Sequence, residues 1–455
     1  QRNATTGEFN TSLGSLSMSV GVATGDNNVV IGYAAGEDLT TGGTNVIIGA
    51  SAGKQMTTSG GNVAVGYQSL FTEDTHGTNT ALGYRSLKVL NAGAFSFNTA
   101  VGYDAGVAMT TAVNNTLVGA TAGNAITTGG NNVAIGQNSL GAETTATSNV
   151  AIGTNAMASS QLSGNNIAIG TNALFNTTHS SLVNSFNIAI GSSAGNDITT
   201  GTLNTLVGAF AGDAITTGGN NVAIGYQALT TQDVNGQNVA VGTQALRDQI
   251  VAGHGNNTAV GHQAGLLVTT GVQNTIIGAS AGDGLTTGTR NVAVGYLALS
   301  TEDSGSHNVA IGHQALKVAD AGADAYNVAV GSGAGLNVLT GIKNVLLGGA
   351  AGENITSGNF NTAVGYAALN TENAHGRNVA VGYLSLATLD ANADGNNTAV
   401  GFSSGVAMTT GLQNVVIGSL AGDAITTGSD NVAIGYNSLS TEDTGGQNVA
   451  IGAQA

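Results

Sequence analysis

Polar and apolar positions along this chain fall into one short phrase that keeps returning. It reads Asn, then Val, Thr or Ile, then a mostly small residue, then Val, Ile or Leu, then Gly, as in "NVAIG" at 221–225 and "NVAVG" at 291–295. The phrase occurs 26 times from Asn10 to Asn448, spaced 17 residues apart at nearly every step, 18 once, 19 four times and 21 once. Two aliphatic positions separated by one residue place both side chains on the same face of a strand. Gly at the fifth position ends that strand, and a second Gly near "TTG" marks a turn. A helix needs a 3.6-residue apolar period, which does not survive Gly at this frequency. A fixed period over the whole length is the mark of a repeat architecture. The pattern predicts an all-β fold, a parallel β-solenoid (β-roll or β-helix) of 26 coils of about 17 residues. It runs through 1–455 as one continuous array with no separate domains. At about 4.8 Å per coil, such an array is on the order of 125 Å long.

Positions are numbered from the Asn of each coil. The second and fourth, such as Val222 and Ile224, are expected to fill the coil interior. Asn221 and its equivalents are expected to form a ladder in which each amide donates and accepts at a coil corner. Coils come in two kinds, ending their apolar stretch in Leu ("GYQAL") or in Gly ("GASAG"), mostly two and two in blocks of 70 residues. The 19-residue spacings close a block, and the block from Asn98 to Asn187 holds one additional coil. Gly-type coils lack Leu at the ninth position and often place Ile or Leu at the twelfth, so one aliphatic side chain replaces another in the same core volume.

The second Gly-type coil of each block shows a further exchange. Its third residue is large (Ile47, Leu117, Leu206, Ile276, Leu346, Val416) and its sixth is small (Ala50, Ala120, Ala209, Ala279, Gly349, Ser419). Elsewhere the third is nearly always Ala, and nine of the ten Tyr, Tyr226 among them, stand at the sixth. The two positions are therefore expected to compensate in size across a contact opposite the coil core, on a second buried face.

Composition narrows the chemistry. With 72 Gly, no Trp and 4% aromatics, the core must be built from small side chains. No Cys means no disulfide framework and no thiolate metal site. Net charge is −16 and the nine basic residues are scattered, which speaks against nucleic acid and against a basic membrane-binding face. No apolar run approaches the roughly 20 residues of a spanning helix, so membrane insertion is not expected. Acidic residues recur in "TED" (Glu73, Asp74, Glu302, Asp303, Glu442, Asp443) and at the tenth position of Gly-type coils (Glu37, Asp213, Asp283, Glu353, Asp423). These are expected in solvated turns, since the "GGxGxDxUx" calcium repeat is absent. A glycosidase would need one unique acid pair, whereas these pairs are repetitive. The seven His include no HxH pair, and "GSGAGL" at 331–336 is one more Gly-type coil. No nucleophile–base constellation stands out, so neither an enzyme nor a cofactor is expected, and no catalytic, cofactor-binding or metal residue is assigned. Paired Thr in "ITTG" admits an ice-binding surface, and sixth-position Tyr admits stacking on sugars.

"NVAIG" followed by small residues resembles the head repeats of trimeric autotransporter adhesins. The longer form "NTAVGYQAL…TTG…NNVAIG" is similar to the repeat arrays of phage tail-fibre-like proteins and related bacterial surface proteins. The resemblance implies short β-coils packing as a parallel roll in a homotrimer, intertwined or side by side, and a structural fibre that is extracellular, on a cell surface or on a virion. The expected partner is the chain itself; surface glycans are the alternative, bound by exposed Tyr, Asn and Thr rows. The C-terminal "NVAIGAQA" runs on into the N-terminal "QRNATTGEF" as one 17-residue coil, the phase expected either of a head-to-tail contact that propagates into an open filament or of a segment cut from a longer array.

Overall fold

The computed structural model describes residues 6–20, 23–231, 234, 236–251, 253–322 and 324–455; residues 1–5 of the proposed head-to-tail joint lie outside these. All regular structure among the described residues is β, and the chain is a parallel β-solenoid of about 26 turns with one three-residue strand per turn. No helix among them is long and apolar enough to cross a membrane. Contacts group into two compact units, Gln1–Ala223 and Ile224–Ala455.

Within each unit the strands pair in parallel and in phase. In the first, Val29, Val30 and Ile31 oppose Val46, Ile47 and Ile48; in the second, Val415, Val416 and Ile417 oppose Val432, Ala433 and Ile434. Each position of the repeat therefore forms a row. The first unit also holds a second parallel pair, Gln161–Gly164 with Thr178–Asn184, inside the five-coil block. The longer strand of that pair absorbs the 21-residue spacing.

The asparagine ladder is present in both units. The Asn45 and Asn62 amides donate to Oδ1 of Asn28 and Asn45 at 3.0 and 2.9 Å; those of Asn344 and Asn361 donate to Asn327 and Asn344 at 3.0 and 2.9 Å. Nδ2 reaches across the corner to a carbonyl fourteen residues on, Ser59 from Asn45 (3.0 Å) and Gly358 from Asn344 (2.8 Å). These side chains are fully buried, and the bonds offset the desolvation of each amide. The fifth-position glycines sit at φ near +137°, as Gly225 and Gly348 do. A Cβ there would collide with the next coil's carbonyl, Gly382 in the case of Gly365.

The strand faces are the reverse of the expectation. Ala223, Ala380 and all the other third-position residues of the coils from Val30 to Ala433 are buried, whereas the second and fourth lie outside. Ile277 is 39% exposed and Ile417 37%. Parity explains it. The inward Asn occupies the first position, so alternation sends the third inward and the second and fourth outward. The inference that second and fourth share a face holds; the face is the other one. Interior volume comes instead from Leu at the ninth position (Leu299, Leu369) and from an aliphatic at the twelfth in Gly-type coils (Met56, Ile198, Ile425), all fully buried.

The third and sixth positions consequently do not meet across one contact. The third is inside, and the sixth is outside, with Tyr436 54% exposed. What the large third residue compensates is glycine at the ninth. A Cβ on Gly335 would lie 2.7 Å from Leu346 Cδ1, and one on Gly352 2.6 Å from Leu346 Cδ2. Leu206 stands likewise over Gly195 and Gly212 in the first unit, at 2.8 Å from each. One leucine thus fills the space above two glycines, its own coil's and the preceding coil's. The small sixth residue admits the neighbouring ring, since a Cβ on Gly349 would be 3.4 Å from Tyr366 Cδ2.

The inverted faces are testable. Leu346→Ala is expected to cost about 2–5 kcal/mol, against under about 1 kcal/mol for Val345→Thr. Amide hydrogen exchange in the surrounding coils is the suitable readout, because repeat arrays open locally. Equal losses at the two positions would contradict the assignment.

Candidate functional site

Three rows on the coil surface bring chemistry-bearing side chains together: the sixth-position aromatics, a groove over the eleventh and thirteenth positions, and the acidic turns.

At the sixth position the coil spacing sets rings at stacking distance. In the first unit Tyr67 and Tyr84 have centroids 5.3 Å apart, and Tyr84 and Tyr103 5.1 Å with planes 3° apart. In the second, Tyr366, Tyr383 and Phe402 follow at 5.7 and 5.3 Å. Arg85 lies over Tyr84 and pairs through two nitrogens with Asp104. Ring faces in these triplets are turned to one another, so an incoming sugar meets mainly ring edges. The triplets pack coil on coil.

Residues eleven and thirteen flank the inward twelfth residue and both face out. In the second unit they line a groove of about 490 Å³ formed by Val318, Asn337, Leu339, Asn354, Thr356, Thr371, Asn373 and Asp390. Asn337 Nδ2 donates to Asn354 Oδ1 at 3.0 Å, and the Thr356 hydroxyl to the Asn373 carbonyl at 3.0 Å. The lining thus combines two aliphatic side chains, Val318 and Leu339, with amides, hydroxyls and the Asp390 carboxylate.

The acidic turns split into two populations. The Asp of "TED" behaves as expected: Asp74 and Asp303 lie at the surface, where the hydroxyls of Thr57 and Thr286 in the preceding coil donate to them. The Glu does not. Glu73, Glu302 and the equivalent Glu143 and Glu372 are fully buried at the twelfth position, and Glu442 is half-buried. Each turns inward because the amide three residues on needs an acceptor there: His76 N–H donates to Glu73 Oε1 at 3.2 Å, Gly305 to Glu302 at 2.7 Å and His375 to Glu372 at 3.1 Å. Burial pushes Glu73 and Glu372 up to about 7 and raises Glu302, with the backbone amides pulling the other way. At the tenth position, burial pushes the half-buried Asp213 up to about 6 and raises Asp283.

The two carboxylates of each "TED" therefore part, the Glu inward and the Asp towards the surface. Among the described residues no three His, Asp or Glu side chains gather into a metal-binding group. "GSGAGL" is a strand end and turn, with Val328–Val330 leading into Gly331 at φ 142° and no helix after it. His307 stacks on Tyr326 at 4.6 Å and stands 3.3 Å from Asp324.

One constellation was not read from the sequence. Ser185 Oγ lies 2.9 Å from His179 Nε2 and 2.8 Å from Ser163 Oγ, which accepts from Asn166 Nδ2 at 2.8 Å. Burial lowers the His179 pKa, favouring the neutral ring. The Ser–His distance is that of a nucleophile and base, but Ser163 and Ser185 are fully buried and no acyl group can reach them. The chain of bonds fastens the added strand pair to the asparagine row. Its signal was the run "THSSLVNS" inside the longest spacing.

Comparison with protein-family models and with curated proteins finds no match for this chain.

The acidic turns are expected to hold without divalent ions, as no metal-binding group of three gathers among the described residues. Chelation is expected to leave thermal unfolding unchanged, whereas a drop of several degrees restored by calcium would place an ion in the turns.

Proposed function

We propose that the chain is a structural fibre shaft, extracellular, on a cell surface or on a virion, that assembles with copies of itself to support adhesion or matrix formation. It is the role filled by the phage tail-fibre-like arrays and autotransporter heads that its repeats resemble. The observation that carries this reading is the outward aliphatic face. Every coil presents two aliphatic or Thr side chains there, with Val46, Ile311 and Ile417 36%, 38% and 37% exposed. That leaves on the order of 100 Å² of apolar surface per coil, so a dozen coils pass roughly 1,000 Å², more than a soluble monomer usually leaves in one patch. A side-by-side homotrimer covers such a face with copies of itself.

Axial growth has the same economy. Each coil offers asparagine Oδ1 acceptors on one side and amide donors on the other, so a coil of one protomer can stack on a coil of the next with the bonds used inside the chain. Attachment and scaffolding need this repetition rather than a single reactive centre.

A second reading, a glycan-binding surface, rests on the groove over Leu339. Its amides and hydroxyls suit a polyhydroxylated ligand better than the self-stacked tyrosines do. Glycan-array binding lost on Asn354→Ala and Asn373→Ala would favour that reading, and an array without a binder would remove it.

For the shaft, sedimentation is expected to give a trimer, and micrographs continuous or bundled fibres. Val292→Lys with Val294→Lys, charging the outward face, is expected to release monomers that keep their β signature. A wild-type monomer that forms no fibres would contradict the proposal.

A further inference from the structure

The buried glutamates occupy a structurally defined joint. In Gly-type coils the amide at position fifteen donates to the thirteenth-position carbonyl of the next coil, as Gly271 does to Thr286 (3.1 Å) and Gly341 to Thr356 (3.1 Å). Glu73, Glu302 and Glu372 each stand in a coil followed by one of the 19-residue coils, which start at Asn79, Asn308 and Asn378. The next coil's turn there carries two added residues, and the amides of His76, Gly305 and His375 bond to the glutamate. Glu372 also spans the joint, its Oε2 taking the Ala391 N–H and Asn378 Nδ2 of the extended coil at 3.5 Å each. Glu73 and Glu302 span it likewise, taking backbone bonds from Ala92 and Ala321 of the extended coil, while the Nδ2 of Asn79 and Asn308 in that coil is buried with no hydrogen-bond partner. The carboxyl thus closes a gap in the ladder from a position that elsewhere holds Met, Ile or Leu.

We propose that Glu73, Glu302 and Glu372 are proton-operated clamps at the joints between regular and extended coils, closed when uncharged and loosened when charged. A carboxylate buried among apolar side chains is costly to charge, and opening the joint to water relieves that cost. The surroundings reinforce the direction. Asp74 faces Glu73, Asp303 and Asp320 face Glu302, and Asp390 faces Glu372, all of like charge. The twelfth-position neighbours are apolar: Met56 and Leu90, Leu285 and Ala319, Ile355 and Leu389. Histidine is the opposing group. His375 Nδ1 stands 3.8 Å from Glu372 Oε1, and His76 lies in the Glu73 turn with its ring against Phe95. Glu143 differs in kind, since the amides of Thr144, Thr145 and Ala146 all donate to its Oε1.

The sign follows from where the protons bind. With Glu73 and Glu372 lifted from the 4.5 of a free glutamate to about 7, the folded joint holds protons that the open chain has released. Joint stability is therefore highest below about pH 4.5, falls as pH rises towards 7, and is level above it. This device is independent of whether the chain is a fibre shaft.

The test is an infrared pH titration of the full chain, with amide hydrogen exchange at His76, Gly305 and His375. A protonated-carboxyl band persisting at about pH 6 is expected in the wild type and absent from the Glu73→Gln/Glu302→Gln/Glu372→Gln variant. Intrinsic-rate-corrected protection at the three amides is expected to fall about tenfold or more between pH 5 and 8 in the wild type and to stay flat in the variant. Should the triple variant fold poorly, Glu302→Gln read at Gly305 alone makes the same comparison. A wild-type carboxyl band gone by pH 5, or protection independent of pH, would overturn the proposal.

Discussion

The inward asparagine at the start of each coil is the interaction on which the rest depends. Its Oδ1 takes the amide of the next asparagine and its Nδ2 takes a carbonyl from across the corner, so one side chain closes the coil and binds it to its neighbour. Once the first position points inward, strand alternation fixes the third as interior and the second and fourth as exterior. The glycine at position five then turns the chain so tightly that no Cβ is admitted. Inside so narrow a coil the strand contributes mostly Ala, and volume is made up from the ninth and twelfth positions.

That constraint has an outward consequence. The residues with the strongest strand character are those the coil cannot enclose, so each turn displays its Val and Ile to the outside. A repeat that hides its small residues and shows its large ones is suited to packing against further copies. The tyrosines of this same exterior stack on one another from coil to coil. The buried glutamates belong to a different logic: Glu73, Glu302 and Glu372 stand next to the extended coils, and each supplies an acceptor to an amide of its own turn.

Much of this was legible in the sequence. The 17-residue period, the strand at "VAI", the turn at Gly and the asparagine ladder all follow from spacing and residue type, and each is present. The exchange of ninth-position Leu for a twelfth-position aliphatic was legible too, because volume must be conserved inside a coil. The direction of the strand was not. Periodicity says that Val222 and Ile224 share a face but is symmetric between inside and outside, and hydrophobicity favoured the wrong choice. Knowing that the amide of Asn221 points inward would have settled it. Glu73 was misplaced for a related reason: "TED" reads as a polar turn, and only the missing acceptor at the joint draws the glutamate inward.

The central claim is that the outward aliphatic face is where copies of the chain meet. A chain without Cys allows a direct measurement, the formation of disulfide-linked copies under mild oxidation from Val309→Cys on the outward face and from Ala310→Cys beside it. The account predicts rapid intermolecular cross-linking of the first and none from the buried second. A Val309→Cys thiol that reacts freely with small reagents yet never links two chains would contradict it.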